Sequence, residues 1–190
     1  MNEKIVLAVD LDEVVFGYLN GLRKHMRENG LEVSDEVPSS FAMDKSGWFE
    51  TIDAFKKVHG EAVDNGLYAN LEALDGASEN LQDLVKSGYE VNVVTSRFVN
   101  GGQHSIVLSN TAEALDRCRI PYSNILFLSD KTRFIADTYI DDGPHNLTPL
   151  RDAGRHVIAY SWKYNENVEG IDRADNWDGI REILRNRYGK

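Results

Sequence analysis

The stretch at residues 5–16 constrains this chain more than any other: Ile-Val-Leu-Ala-Val-Asp-Leu-Asp-Glu-Val-Val-Phe. Its five leading apolar residues have the length and composition of a strand buried on both faces, as in a parallel sheet covered by helices. The run ends in Asp10 and Asp12, so a buried strand delivers two carboxylates to a sheet edge. Positions two apart on a strand project the same way, and both groups can face one site if extended geometry persists through Leu11. Carboxylates that close repel and raise each other's pKa, so the pair implies a bound metal, a shared proton or exposure to water. A solvated strand end is the plainest alternative, and an Asp-x-Asp pattern alone does not decide between them.

The rest of the chain must complete any such site. At 190 residues it is long enough for one sizeable core with a small insertion. Hydrophobic residues at 42% and charged residues at 27% describe a folded, soluble protein. A net charge of -10 and a pI near 4.9 argue against tracking the backbone of a nucleic-acid polymer. A small phosphorylated ligand held through a local metal remains compatible with that charge. Cys118 is the single cysteine, which excludes an internal disulfide and a multi-cysteine zinc site and suits a reducing compartment. No apolar run approaches membrane-spanning length, and Glu3 and Asp10 interrupt the N-terminal apolar stretch, so no signal peptide is read. The expectation is a cytoplasmic protein, monomer or homodimer, with no membrane partner.

Residues 17–29 carry Tyr18, Leu22 and Met26 at four-residue steps before Gly30, an amphipathic helix with its stop. A loop around Pro38 precedes a second helical stripe of Trp48, Phe49, Ile52, Phe55 and Val58. A helix over 75–88 buries Leu81, Leu84 and Val85, and the strand at 89–95 ends in Thr95-Ser96-Arg97. Gly101 and Gly102 open a loop ahead of a helix from Thr111 to Cys118. Further strands are expected at 125–128, at 139–140 leading into Asp141-Asp142, and at 156–160, with helices over 146–153 and 177–188.

This alternation predicts an α/β fold: a doubly wound, parallel, five-stranded Rossmann-like sheet in the order 3-2-1-4-5. Roughly sixty residues separate the first two strands, more than a crossover helix needs, so a small inserted helical cap is expected. Residues 1–16 and 75–190 then form the core and residues 17–74 the cap. In that order the ends of strands one, two and four meet at the switch point where such sheets bind ligands, bringing Asp10, Asp12, Thr95, Ser96, Asp141 and Asp142 together. Four carboxylates suit a hard, oxygen-seeking cation, for which Mg²⁺ is the candidate. Lys131 lies ten residues before Asp141, where an ammonium can bind phosphate oxygens, although taken alone it reads as a surface lysine. His25, His59, His104, His145 and His156 lack zinc-ligand spacing. Asn146-Leu147-Thr148 matches a glycosylation acceptor by pattern only.

With these residues in place the chain resembles the haloacid dehalogenase superfamily, and within it the 5'(3')-deoxyribonucleotidase branch. The resemblance rests on Asp10-Leu11-Asp12-Glu13-Val14, Val93-Val94-Thr95-Ser96, Lys131 and Ile140-Asp141-Asp142, and for the branch on Gly66-Leu67-Tyr68, Gly88-Tyr89-Glu90-Val91, Asp130-Lys131-Thr132 and Tyr164-Asn165. Two positions depart from it: Glu13 stands where glycine is usual, and Gly143 where the branch often carries a basic residue.

The resemblance implies a phosphatase acting on small nucleotides, chiefly deoxynucleoside monophosphates. It implies Asp10 as the nucleophile, forming an aspartyl-phosphate, and Asp12 as general acid and base. Asp10, the backbone carbonyl of Asp12, and Asp141 with Asp142 would hold Mg²⁺, Asp142 being the first choice as direct ligand. Thr95, Ser96 and Lys131 would hold the remaining phosphate oxygens. Tyr18 would stack on the base, while Trp48 and Phe49 divide between an opposite wall and an ordinary core stripe. A metal-independent dehalogenase would not need the Asp141-Asp142 pair beside Lys131. A non-catalytic nucleotide-binding module would be expected to lack one of the acidic motifs.

Overall fold

The apolar run that opens the chain becomes the third strand across a wholly parallel sheet. A computed structural model describes residues 4–97 and 103–190. Its strands are β1 (Ile5–Val9), β2 (Tyr89–Thr95), β3 (Asn124–Phe127), β4 (Thr138–Asp141), β5 (Val157–Tyr160) and β6 (Asp172–Ala174), in the order β3-β2-β1-β4-β5-β6. The helices are α1 (Tyr18–Glu28), α2 (Ile52–Asp64), α3 (Ala77–Lys86), α4 (His104–Arg117), α5 (Pro144–Asp152) and α6 (Trp177–Tyr188). Among the described residues no helix is long and apolar enough to cross a membrane.

Register is what places the site. Val9 pairs with Val93 on one side and Ile140 on the other, and the Asp10 amide donates to the Ile140 carbonyl at 2.9 Å. Asp10, Thr95 and Asp141 therefore leave the sheet at one edge, beside each other. Leu7 and Val9 are fully buried, as a strand covered on both faces requires. At the opposite end of the sheet Thr138 Oγ1 lies 2.7 Å from both His156 Nδ1 and Tyr188 Oη, and His156 Nε2 lies 2.8 Å from Asp172 Oδ2. This string ties β4, β5, β6 and α6 together; Thr138 is completely buried and meets no substrate.

Several expectations are corrected. The sheet has six strands rather than five: β6 reads Asp-Arg-Ala and has no apolar run to mark it. Trp48 and Phe49 precede α2 instead of opening it, because Thr51 is its cap, with Oγ1 accepting from the Ala54 amide at 3.1 Å. Ile52 is 43% exposed, and Val85, expected inside α3, is 42% exposed. Helix α4 starts at His104, ahead of Thr111; Gly101 and Gly102 lie outside the described residues.

Between β1 and α3 the chain leaves the sheet and returns to the same place. Phe16 and Ala73 form an antiparallel bridge, the Gly17 amide donates to the Glu72 carbonyl at 3.1 Å, and the Leu74 amide to the Val15 carbonyl at 2.8 Å. The turn into this excursion is built on Glu13, whose φ of 58° is a left-handed conformation that glycine adopts more cheaply. Its side chain offsets that cost. Gly17 offers α1 no side-chain cap, and Glu13 Oε1 accepts instead from the Leu19 amide at 2.6 Å. The Glu13 carbonyl accepts from Trp162 Nε1 at 2.8 Å, tying the turn to the loop after β5.

Glu13→Ala should keep the strained backbone and lose the cap, lowering stability by about 1–2 kcal/mol, or roughly 2–8 °C in Tm. Glu13→Gly should lose less, since it relieves the strain. Thermal denaturation of the three proteins checks this; wild-type Tm in the Ala variant would show that Glu13 caps nothing.

Candidate active site

At the C-terminal edge of the sheet, oxygen atoms of Asp10, Asp141 and Asp142 lie within 4.8 Å of one another, and all three side chains are buried. Lys131 stands behind them. The short 3-10 turn Lys131–Arg133, capped by Asp130 through a 3.1 Å bond from the Thr132 amide, turns the lysine inward. Its Nζ is 2.8 Å from Asp10 Oδ1 and 2.6 Å from Asp141 Oδ2. At 3% side-chain exposure Lys131 is not a surface lysine, nor is it on the cavity wall. Burial alone would lower its pKa, and the carboxylates of Asp10 and Asp141 outweigh that and hold it raised.

One ammonium does not balance three carboxylates. Burial, then the Asp141 and Asp12 charges, push Asp10 up to about 7 despite Lys131. Asp142 is also held well above the usual carboxylate range, first by burial and then by Asp141 and Asp10. Asp141 is satisfied: Oδ1 accepts from the Gly143 amide at 2.9 Å and Asn146 Nδ2 at 3.1 Å. Asp10 Oδ1 meets the Lys131 ammonium at 2.8 Å without a well-aligned hydrogen bond. One ammonium shared among buried carboxylates leaves negative charge that fits a hard divalent cation held by Asp10 and Asp142, with Asp141 close by.

Asp12 has a different environment. Arg97 Nη2 reaches its Oδ1 at 2.6 Å and Arg97 Nε its Oδ2 at 3.0 Å. Arg97 Nη1 donates to Thr111 Oγ1 on α4 at 3.0 Å, and the guanidinium lies 4.2 Å from the Tyr68 ring centroid. This two-pronged pair fixes the carboxylate's direction while leaving it 27% exposed. Sequence reasoning treated Arg97 as the tail of Thr95-Ser96-Arg97; a basic residue just past a buried strand end was the available signal. Thr95 is buried at the end of β2, and Ser96 Oγ donates to the Leu128 carbonyl at 3.0 Å.

Asp10, Asp12, Thr95, Ser96, Arg97 and Asp142 line the floor of a cavity of about 520 Å³. Its aromatic wall is Tyr18, Phe41, Phe55, His59, Tyr68 and Tyr164. The Tyr18 hydroxyl is 2.9 Å from His59 Nδ1, and its ring stacks at 6.4 Å on Tyr68. Trp48 and Phe49 are not among the lining residues: both are buried in the core, Trp48 under the Arg23 guanidinium and Phe49 against Phe55. Phe55, read as core, lines the cavity instead, and Phe41 comes from a loop with no periodicity to reveal it.

A family model described as 5' nucleotidase, deoxy (pyrimidine), cytosolic type C protein matches residues 4–188. The chain belongs to this family. It is a hydrolase of the nucleotidase type with the haloacid dehalogenase fold. A protein of Chlorobaculum tepidum provisionally named 5'(3')-deoxyribonucleotidase is 30% identical over 183 residues, covering 95% of this chain and 90% of its own length. Solved structures agree on the fold. A haloacid dehalogenase-like hydrolase from Streptococcus pneumoniae superposes with a TM-score of 0.65 at 13% identity, over 97% of this chain and 100% of that one. A haloacid dehalogenase superfamily hydrolase from Geobacter sulfurreducens gives 0.57 at 15% identity, over 95% and 96%.

A divalent cation held by the cluster would need its carboxylates ionised and so would compete with protons. Because Asp10 is pushed up to about 7 and Asp142 is raised as well, cation binding should weaken as pH falls through neutrality. Adding MgCl₂ should raise the Tm more at pH 8 than at pH 6. An equal rise at both would place the ion elsewhere.

Proposed function

We propose that this nucleotidase-family chain is a Mg²⁺-dependent phosphomonoesterase that removes phosphate from nucleoside monophosphates, deoxynucleotides foremost, through an aspartyl-phosphate on Asp10. The observation that carries the reading is the buried cluster of Asp10, Asp141 and Asp142 around the Lys131 ammonium, with Asp10 and Asp142 on the floor of an aromatic-walled cavity. Residues 17–74 act as the cap, since Tyr18, Phe41, Phe55, His59 and Tyr68 all come from that segment.

Asp10, Asp142 and the backbone carbonyl of Asp12 would hold the cation, with Asp141 beside them. Bound there, Mg²⁺ supplies charge neutralisation and orientation for the phosphoryl oxygens. A carboxylate oxygen of Asp10 attacks phosphorus as the ester P–O bond breaks, and the departing nucleoside oxygen takes a proton from Asp12. Water then attacks the phosphorus and gives its proton to Asp12. The bond to Asp10 breaks, inorganic phosphate leaves, and the starting carboxylate is restored. Arg97 holds Asp12 in the direction both proton transfers need. Lys131 acts from behind Asp10, reducing the repulsion an anionic nucleophile presents to an anionic ester. Thr95 and Ser96 would hydrogen-bond the phosphate at the strand end, Ser96 once its hydroxyl turns from the Leu128 carbonyl.

Phosphate release should be measured across nucleotides and sugar phosphates, with Mg²⁺ and with a chelator. The expected outcome is nucleotide hydrolysis that chelation abolishes. A metal-free dehalogenase would be indifferent to chelation, and the three-carboxylate cluster speaks against it. Asp10→Asn should stay folded and lose turnover, because an amide does not attack phosphorus. Phosphatase activity near the wild-type level in that variant would remove Asp10 from the mechanism.

Base recognition falls to the aromatic wall. Stacking one base on an aromatic ring contributes about 1–3 kcal/mol, so Tyr18→Ala should raise KM for a nucleoside monophosphate roughly tenfold to a hundredfold. KM for a non-aromatic sugar phosphate should hardly move. Equal losses on both substrates would make Tyr18 a packing residue only.

A further inference from the structure

Asp142 is held by residues from the far end of the chain. Its Oδ2 accepts from the Tyr164 hydroxyl at 2.5 Å, and its backbone carbonyl from Asn165 Nδ2 at 2.8 Å. Asn165 is completely buried. Its Nδ2 also donates to the Tyr160 carbonyl at 2.8 Å, and its Oδ1 accepts from the Trp162 amide and from Arg173 Nη1, both at 3.1 Å. Arg173, on β6, grips the same loop through Nη2, which donates to the carbonyls of Asn165 and Val168. The rings of Tyr160, Trp162 and Tyr164 stack in succession at centroid distances of 5.8 and 6.5 Å. Phe41 closes the edge of Tyr164 at 5.7 Å. The hydroxyl thus reaches Asp142 from a ring fixed on several sides.

We propose that Tyr164 is a positioning residue that sets which divalent cation the carboxylate cluster prefers. The inference rests on the metal-dependent reading given above. A carboxylate has two oxygens, and one of Asp142's is engaged by Tyr164. While that bond stands, the hydroxyl competes for Oδ2, and Asp142 presents a cation chiefly its other oxygen. Asp141 is restrained further, with both oxygens engaged, Oδ1 by the Gly143 amide and Asn146 and Oδ2 by Lys131, which leaves Asp142 the freer ligand. Single-oxygen ligation suits Mg²⁺, which is small, demands octahedral geometry and keeps several waters. Ca²⁺ gathers more oxygens and takes carboxylates through both at once. The Tyr164 hydroxyl withholds the second oxygen that the larger ion would use. It also fixes the rotation of the carboxylate that the smaller ion needs.

Tyr164→Phe removes the hydroxyl and keeps the ring that Trp162 and Phe41 pack against. The experiment is calorimetric titration of the metal-free full chain, wild type and variant, with Mg²⁺ and separately with Ca²⁺, after melting curves have shown that both proteins fold. The Kd for Mg²⁺ should rise about tenfold to a hundredfold in the variant, the scale for losing a partner of a metal-bound carboxylate. The Kd for Ca²⁺ should rise by less than about threefold or fall, because the freed oxygen becomes available to it, so the preference for Mg²⁺ contracts. An unchanged Mg²⁺ affinity would overturn the assignment. So would an equal weakening for both ions, which would make Tyr164 a general support of the site. A wild-type chain that binds neither ion would remove the metal-dependent reading itself, and this inference with it, an outcome distinct from a change confined to the variant.

Discussion

The structure depends on how three buried carboxylates are made to share one sheet edge. Two unit charges about 4 Å apart interact by roughly 4 kcal/mol at an effective dielectric near 20, so Asp10, Asp141 and Asp142 together impose a strain on folding that the core must absorb. Lys131 relieves part of it, which is why a lysine is buried at 3% exposure against the residue type's habit. The remainder is left standing as raised carboxylate pKa values on Asp10 and Asp142. A fold tolerates such unfavourable charge at a functional site, and this cluster could hold a metal ion.

The order β3-β2-β1-β4-β5-β6 makes that arrangement possible. With β1 between β2 and β4, the strand leading to Asp10 ends between the hydroxyls of Thr95 and Ser96 and the carboxylates after Ile140. The two carboxylates of the first motif are then given opposite treatment. Asp10 is desolvated beside a lysine, whereas Asp12 keeps partial contact with water and a two-pronged arginine. Environment, not residue type, separates the two aspartates here.

What could be read from the chain alone follows from which signals are periodic. Buried strands ending in Asp10, Thr95 and Asp141 announce themselves by apolar runs, and their order follows from the common doubly wound arrangement of alternating strands and helices. The same logic brought Lys131 to the site by spacing but could not tell its buried seat from a surface one. Strand β6 was missed because Asp-Arg-Ala is held by the Ala159–Arg173 register and by Arg173 bonds, neither of which leaves a hydrophobic trace. Arg97 was passed over because its role comes from Asp12, Thr111 and Tyr68, which are remote in sequence. The aromatic wall was legible only in part. Tyr18 stands near the first motif, but the stripe of Trp48, Phe49 and Phe55 reads alike for core and cavity, and the fold puts Trp48 and Phe49 in the core and Phe55 on the cavity. Thr51 was the overlooked mark: a capping hydroxyl sets where α2 begins, and so which aromatics face inward.

The register of β1 has a consequence for how the molecule comes into being. Ile5 pairs with Tyr89 and Leu7 with Thr138, so β1 gains one neighbour only once β2 has been made and the other only once β4 has. Parallel pairing over such separations must meet the cost of closing long loops before its hydrogen bonds are gained. The excursion from Phe16 to Ala73 is drawn back by its own ends, but Arg117 of α4 also donates to the Ala69 and Leu71 carbonyls, so later residues complete it too. The acidic cluster comes together last, since Asp142 follows β4. Until the ribosome has passed Asp142, the strand leading to Asp10 stands with an open flank, and Asp10 lacks the neighbours that set its charge.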